Sequence, residues 1–90
     1  MDNKSLKNRC QSCGIPLFHP DQYGTNSDGS ENSEYCKYCF QNGLFIDPNM
    51  TLSQMIESST SYMVNGLKMN ESKARSLSQI IIPQLKRWRQ

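Results

Sequence analysis

From Leu52 to Gly66 the apolar and small residues recur every three or four positions: Leu52, Met55, Ile56, Ser59, Tyr62, Met63 and Gly66. At roughly 100° per residue they fall within an arc of about 120°, one face of an amphipathic helix. Thr51 or Asn49 can cap its start and Gly66 can end it, so the pattern predicts a helix over 51–65. A second stripe, Ala74, Leu77, Ile81, Leu85 and Trp88, spans about 80° if one helix capped by Asn70 runs on through Pro83. Proline removes a backbone donor and biases Ile82 away from helical angles, so a kink and a break before a last turn both fit. The two stripes face each other most simply as a helical hairpin over 48–90.

Ahead of the helical stripes, residues 21–34 are dominated by Ser, Asn, Asp and Glu. Such a segment does not fold by hydrophobic collapse alone. Within it, Asp28-Gly29 stands where a pair of strands can reverse. All four cysteines of the chain flank this polar run, Cys10 and Cys13 in "CQSCG", Cys36 and Cys39 in "YCKYCF".

Each Cys-x-x-Cys pair offers two thiolates from one tight turn, and two such turns complete a tetrahedron around a divalent ion. The 22 residues between Cys13 and Cys36 slightly exceed the usual spacing, and loop entropy absorbs the excess. Gly14 follows the first pair where a turn needs positive φ, and Phe40 with Gly43 suggests that the chain leaves the second pair through a helical turn. These features read as a zinc ribbon over 10–47: two knuckles joined by a short β-hairpin, with one structural Zn²⁺ on Cys10, Cys13, Cys36 and Cys39. Iron accepts the same ligands. Two dithiol redox sites would need βαβ settings that the pattern does not provide.

The single histidine, His19, is unnecessary to a four-thiolate shell, and "NSDGS" does not align with a calcium loop. A closed shell leaves no open coordination position, and there is no Ser-His-Asp set, phosphate loop or pair of carboxylates in an apolar setting. The expectation is therefore a non-enzymatic protein without a small-molecule substrate. The fold class is a small, metal-stabilised α+β one, in whose ribbon half zinc contributes an apparent ~10–16 kcal/mol that so few apolar residues cannot supply.

Ninety residues with a mean hydropathy of −0.71 make one domain. No stretch is long and apolar enough to cross a membrane, and "MDNKSLKNRC" lacks a secretory apolar region, so the expected compartment is the cytoplasm. The net charge of +2 hides a segregation: the basic segment 1–9, expected to be flexible, carries +2, residues 10–50 carry −4, and residues 51–90 carry +4. Four thiolates and one divalent ion would add −2 to the acidic part.

From "CQSCGIPL" through "GTNSDGS", "YCKYCFQNGLF" and "MTLSQMI" to "PQLKRW", residues 10–88, the chain resembles a family of small prokaryotic proteins described as a putative zinc ribbon domain. The resemblance implies that Cys10, Cys13, Cys36 and Cys39 are the zinc ligands. It carries no catalytic residue. Some members are labelled transcriptional regulators.

Three functions follow as expectations. A protein-interaction module in a regulatory setting fits the acidic ribbon and a Met-rich groove, with Met55, Met63 and Trp88 as candidate partner contacts. A nucleic-acid-binding, transcription-associated ribbon would use Lys73, Arg75, Lys86, Arg87 and Arg89 on phosphates, against the acidic charge of the ribbon. A thiol or zinc redox sensor would use loss of the metal as its signal.

Overall fold

The computed structural model describes residues 8–89. Most of the basic segment expected at 1–9 lies outside them. Asn8 and Arg9 belong to the ribbon, where Leu17 N–H donates to Asn8 O at 2.7 Å and Arg9 bridges Pro16 in antiparallel fashion. Two β-hairpins and two helices make up a small α+β fold.

The first hairpin pairs β1 (Tyr23–Thr25) with β2 (Glu31–Cys36), after a 3₁₀ turn at Pro20–Gln22. Its reversal is at Asp28-Gly29, with Gly29 at φ +88° and the Asp28 carboxylate accepting from both Ser30 N–H and Ser30 Oγ. Those two bonds hold the Asp28 carboxyl below the usual carboxylate range. The register slips between Tyr23 and Gly24, so that Tyr23 faces Cys36 while Gly24 faces Asn32.

The second hairpin pairs β3 (Phe40–Gln41) with β4 (Leu44–Phe45). The helical turn expected after Cys39 is not formed. Asn42 and Gly43, at φ 54° and 80°, build instead a type I′ reversal, the two-residue turn whose twist matches that of antiparallel strands. The turn is held from outside by Thr25, whose carbonyl accepts from Gly43 N–H at 2.9 Å and whose hydroxyl accepts from Asn42 N–H at 3.0 Å.

Helix α1 spans Leu52–Gly66 behind a reciprocal cap: Thr51 Oγ accepts from Gln54 N–H and Gln54 Oε1 accepts from Thr51 N–H. Helix α2 spans Glu71–Ile81 behind Asn70, whose Oδ1 accepts from Lys73 N–H. An exposed pair, Arg75 to Glu57, joins the helices and lowers the Glu57 carboxyl. At Pro83 the helix tightens into a 3₁₀ turn, Ile82–Gln84, and the chain turns extended at Leu85, ψ 151°. Ile82 itself keeps helical angles, φ −59° and ψ −44°.

The helix therefore stops short of Leu85 and Trp88, and the buried face of α2 with its 3₁₀ end is Ala74, Ser78 and Ile82. Leu85, also buried, is delivered by the break instead. The core is continuous across both halves: Cys10, Leu17, Tyr35, Cys36 and Cys39 of the ribbon pack with Met55, Ile82 and Leu85. Among the described residues, no helix is long and apolar enough to cross a membrane.

Candidate metal centre

The four cysteines come from the two knuckles. In the first, Gly14 N–H donates to Cys10 O at 2.9 Å and Cys10 N–H to Ile15 O at 2.8 Å, which folds the Cys10–Cys13 turn back on itself. Gly14 adopts φ +82°, as the turn demands. A β-carbon there would also press on Ile82 Cδ1, at 3.3 Å, so the same glycine admits the helical half to the knuckle. In the second, Cys39 N–H donates to Cys36 O at 3.0 Å, and the tight β3–β4 hairpin closes with Ile46 N–H on Cys39 O at 2.9 Å.

All four Sγ atoms lie within 4.8 Å of one another, and Cys13 Sγ stands 3.8 Å from Cys36 Sγ. A tetrahedron with metal–sulfur bonds of ~2.3 Å has edges of about 3.8 Å, so the cluster has the size of a single four-thiolate site. Cys10, Cys36 and Cys39 are buried and Cys13 is half-buried. The Cys36 N–H points at Cys10 Sγ at 3.2 Å, the backbone donation that stabilises a metal-bound thiolate.

Charge is divided unequally among the thiols. Hydrogen bonds from Cys13, then Cys36 and Cys39, hold Cys10 far below the ordinary thiol range against its burial. Cys36 is also lowered: its bond with Cys10 raises it, and those with Cys13 and Cys39 outweigh that. Cys13 and Cys39 are raised, both chiefly by their bonds to Cys10. A divalent ion closing on all four sulfurs would displace the protons that the raised thiols favour.

Beside the cluster, Tyr35, Phe40 and Phe45 form a three-ring group with centroids 5.0–5.2 Å apart. Burial raises the Tyr35 hydroxyl. His19 is exposed and, among the described residues, belongs to no ligand group.

The cationic candidates differ in what holds them. Arg75 is held by Glu57 and Glu71 on the helices. Lys86 pairs with Glu34 at 3.1 Å, and Arg87 donates to Ser12 Oγ at 3.0 Å and to Asp47 O at 2.6 Å. The Arg87 guanidinium lies 4.1 Å from the Phe45 ring centre and 4.5 Å from that of Trp88. Lys73 and Arg89 are exposed, with no ion pair among the described residues.

The candidate partner residues differ in setting. Met55 is buried in the core. Met63 lines an open apolar groove with Tyr62, Leu67, Leu77 and Ile81, and also accepts a weak bond from Ser78 Oγ. Trp88 lies against the first knuckle, its indole N–H donating to Ser12 O at 2.7 Å. Neither Gln11 nor Ser12, on which the C-terminal segment is anchored, carries a periodic or compositional signal in the sequence.

Residues 9–89 match the model of a family described as "Putative zinc ribbon domain". No curated protein and no solved structure matches the chain.

Proposed function

For a chain that belongs to the putative zinc ribbon domain family, we propose a non-enzymatic role in which Cys10, Cys13, Cys36 and Cys39 hold one structural Zn²⁺ and stiffen a surface for protein contact in a regulatory setting. Zinc is the commonest occupant of a closed four-thiolate shell and adds no redox chemistry of its own. Free thiols suit a reducing compartment such as the cytoplasm.

The observation that carries the contact reading is a set of exposed apolar residues on an acidic ribbon. Phe18, Tyr38, Leu44 and Ile46 are 74%, 75%, 72% and 55% exposed. Gln22 ties Phe18 to Lys37, the neighbour of Tyr38, its side chain accepting from Phe18 N–H and its carbonyl from Lys37 N–H, each at 2.8 Å. Gln41, which faces Leu44 across the second hairpin, donates to Lys37 O at 2.9 Å. Asp21 and Asp47 lie near Phe18 and Ile46 in the sequence, and residues 10–50 carry −4 before any metal is counted. A basic, apolar protein surface complements such a set in apolar character and charge. The nucleic-acid reading is weaker, because Lys86, Arg87 and Arg75 already have anionic or carbonyl partners.

The test is photo-cross-linking in cells from a benzophenone side chain placed at Tyr38, with native mass spectrometry of the same protein. The expected result is one zinc per chain and a protein adduct lost both on Leu44→Asp and on reversing Asp21 and Asp47 to lysine. An adduct with nucleic acid, or one indifferent to those changes, would overturn the contact reading.

A further inference from the structure

The last residues of the chain are fastened to the turn that separates the first two cysteines. Arg87 N–H donates to Gln11 O at 3.0 Å, and Lys86 N–H donates to Gln11 Oε1 at 3.0 Å. The indole N–H of Trp88 donates to Ser12 O at 2.7 Å, and Arg87 reaches Ser12 Oγ, which belongs to a fully buried residue. The other arm of the guanidinium donates to Asp47 O, next to Ile46, whose N–H closes on Cys39 O. Arg87 thus ties the first knuckle to the exit of the second, with its flat face between Phe45 and Trp88.

Four of these acceptors, the carbonyls and side chains of Gln11 and Ser12, exist in this arrangement only while the Cys10–Cys13 turn keeps its shape. Closing four thiolates on one ion fixes that turn, and whatever fixes the turn presents the acceptors. The converse holds equally, because two events that share one conformation stabilise each other by the same factor.

We infer that Lys86–Arg89 is a metal-gated strap: metal in the four-cysteine site holds the segment down, and loss of metal releases it. Release frees two held cations, Lys86 and Arg87, together with the chain's only tryptophan, Trp88. The ribbon would then report its metal state through a segment 75 or more residues away in sequence. The inference rests on the cysteines binding metal, and its test separates that premise from the coupling.

The experiment uses the full chain with Zn²⁺, before and after chelation, with metal content read by native mass spectrometry. Amide exchange is followed at Lys86 and Arg87 and, as an internal reference, at Ala74 and Ser78 in α2. Metal affinity is measured by competition for the wild type, for Trp88→Phe, which keeps an aromatic ring and removes the indole N–H, and for Arg87→Lys, which keeps the charge and removes the fork. Lys73→Glu serves as an off-strap control.

The expected result is loss of protection at Lys86 and Arg87 on chelation while α2 stays protected, with a red shift of Trp88 emission. Both strap variants should bind Zn²⁺ about tenfold more weakly, within the roughly 5–150-fold range of such couplings, and the control should bind as the wild type does. A strap that stays protected in the metal-free chain, or strap variants with wild-type affinity, overturns the inference alone. Equal loss of protection in the strap and α2 overturns it in favour of global unfolding. A chain that binds no Zn²⁺ overturns the metal reading and the inference with it.

Discussion

Gly24 lies so close under the carbonyl oxygen of Phe40 that a β-carbon built on it would stand 2.3 Å from that oxygen and 3.2 Å from the carbonyl oxygen of Cys36. This is where the two hairpins touch: β1 meets the backbone at the root of the second knuckle with nothing between. Its backbone angle is unexceptional, so the glycine serves close approach rather than left-handed geometry. Both obstructing atoms are backbone, and neither can rotate away. Gly24→Ala should therefore cost about 1–3 kcal/mol, as overpacking does. The denaturant midpoint of the metal-loaded protein reads this directly, and an unchanged midpoint would show that the hairpins separate freely.

At the end of α1 the opposite situation holds. Leu67 and Met69 N–H both close on Met63 O, and between them Lys68 adopts φ 58°. That is the left-handed position where helices commonly place glycine, whereas here glycine stands two residues earlier, at Gly66, inside the helix. An L-residue pays about 1–2 kcal/mol for this conformation, part of which glycine's larger unfolded-state entropy offsets. Lys68→Gly should raise stability by about 0.5–1 kcal/mol, seen as a higher Tm.

The starts of the helices were legible in the sequence because caps act locally: Thr51 and Asn70 do what their positions announce, as does Gly14 in the first knuckle, whereas Gly66 lies inside α1 and does not cap its end. The second hairpin was legible too, since Asn42-Gly43 between Phe40 and Leu44 is a strong hairpin signal. A reading that ends a helical turn at Gly43 gives weight to the glycine and none to the asparagine before it. What no local pattern could supply is the C-terminal anchorage. Gln11 and Ser12 are ordinary polar residues of a knuckle turn, and only the break after Pro83 brings Arg87 and Trp88 onto them. The stripe of Leu77, Ile81, Leu85 and Trp88 fits a continuous helix geometrically, yet the chain abandons it where proline denies the next backbone bond.

The unequal thiols make a claim about protons. The bonds to Cys10 raise Cys13 and Cys39 and so favour their protonated forms, while Cys10 is lowered. Binding a divalent ion to all four sulfurs expels the protons that the raised thiols hold. Apparent affinity should then rise with pH, by about tenfold per unit for each proton expelled. Chelator competition at pH 6, 7 and 8 measures the slope, and the binding enthalpy should vary with the ionisation heat of the buffer. A flat profile would mean that the thiols are ionised before the metal arrives.

The cations of the helical half should separate into two kinds when their charges are reversed one at a time. Arg87→Glu loses the donors to Ser12 Oγ and Asp47 O, leaves the Ser12 hydroxyl buried without a partner, and places a carboxylate between Phe45 and Trp88. Burying unsatisfied and unpaired groups of this kind costs about 2–4 kcal/mol, enough to threaten a domain this small. Lys86→Glu breaks only a half-exposed pair with Glu34, worth under about 1 kcal/mol, and sets two like charges together. Lys73→Glu and Arg89→Glu, both exposed, should shift stability by no more than about 0.5 kcal/mol. Loss of a nucleic-acid complex on reversing Arg87 would therefore say little about phosphate contact, since the fold changes with it. The informative protein is the Lys73→Glu, Arg89→Glu double variant, whose melting curve should overlay that of the wild type. If that variant also loses a salt-sensitive nucleic-acid affinity, the phosphate reading regains ground over protein contact.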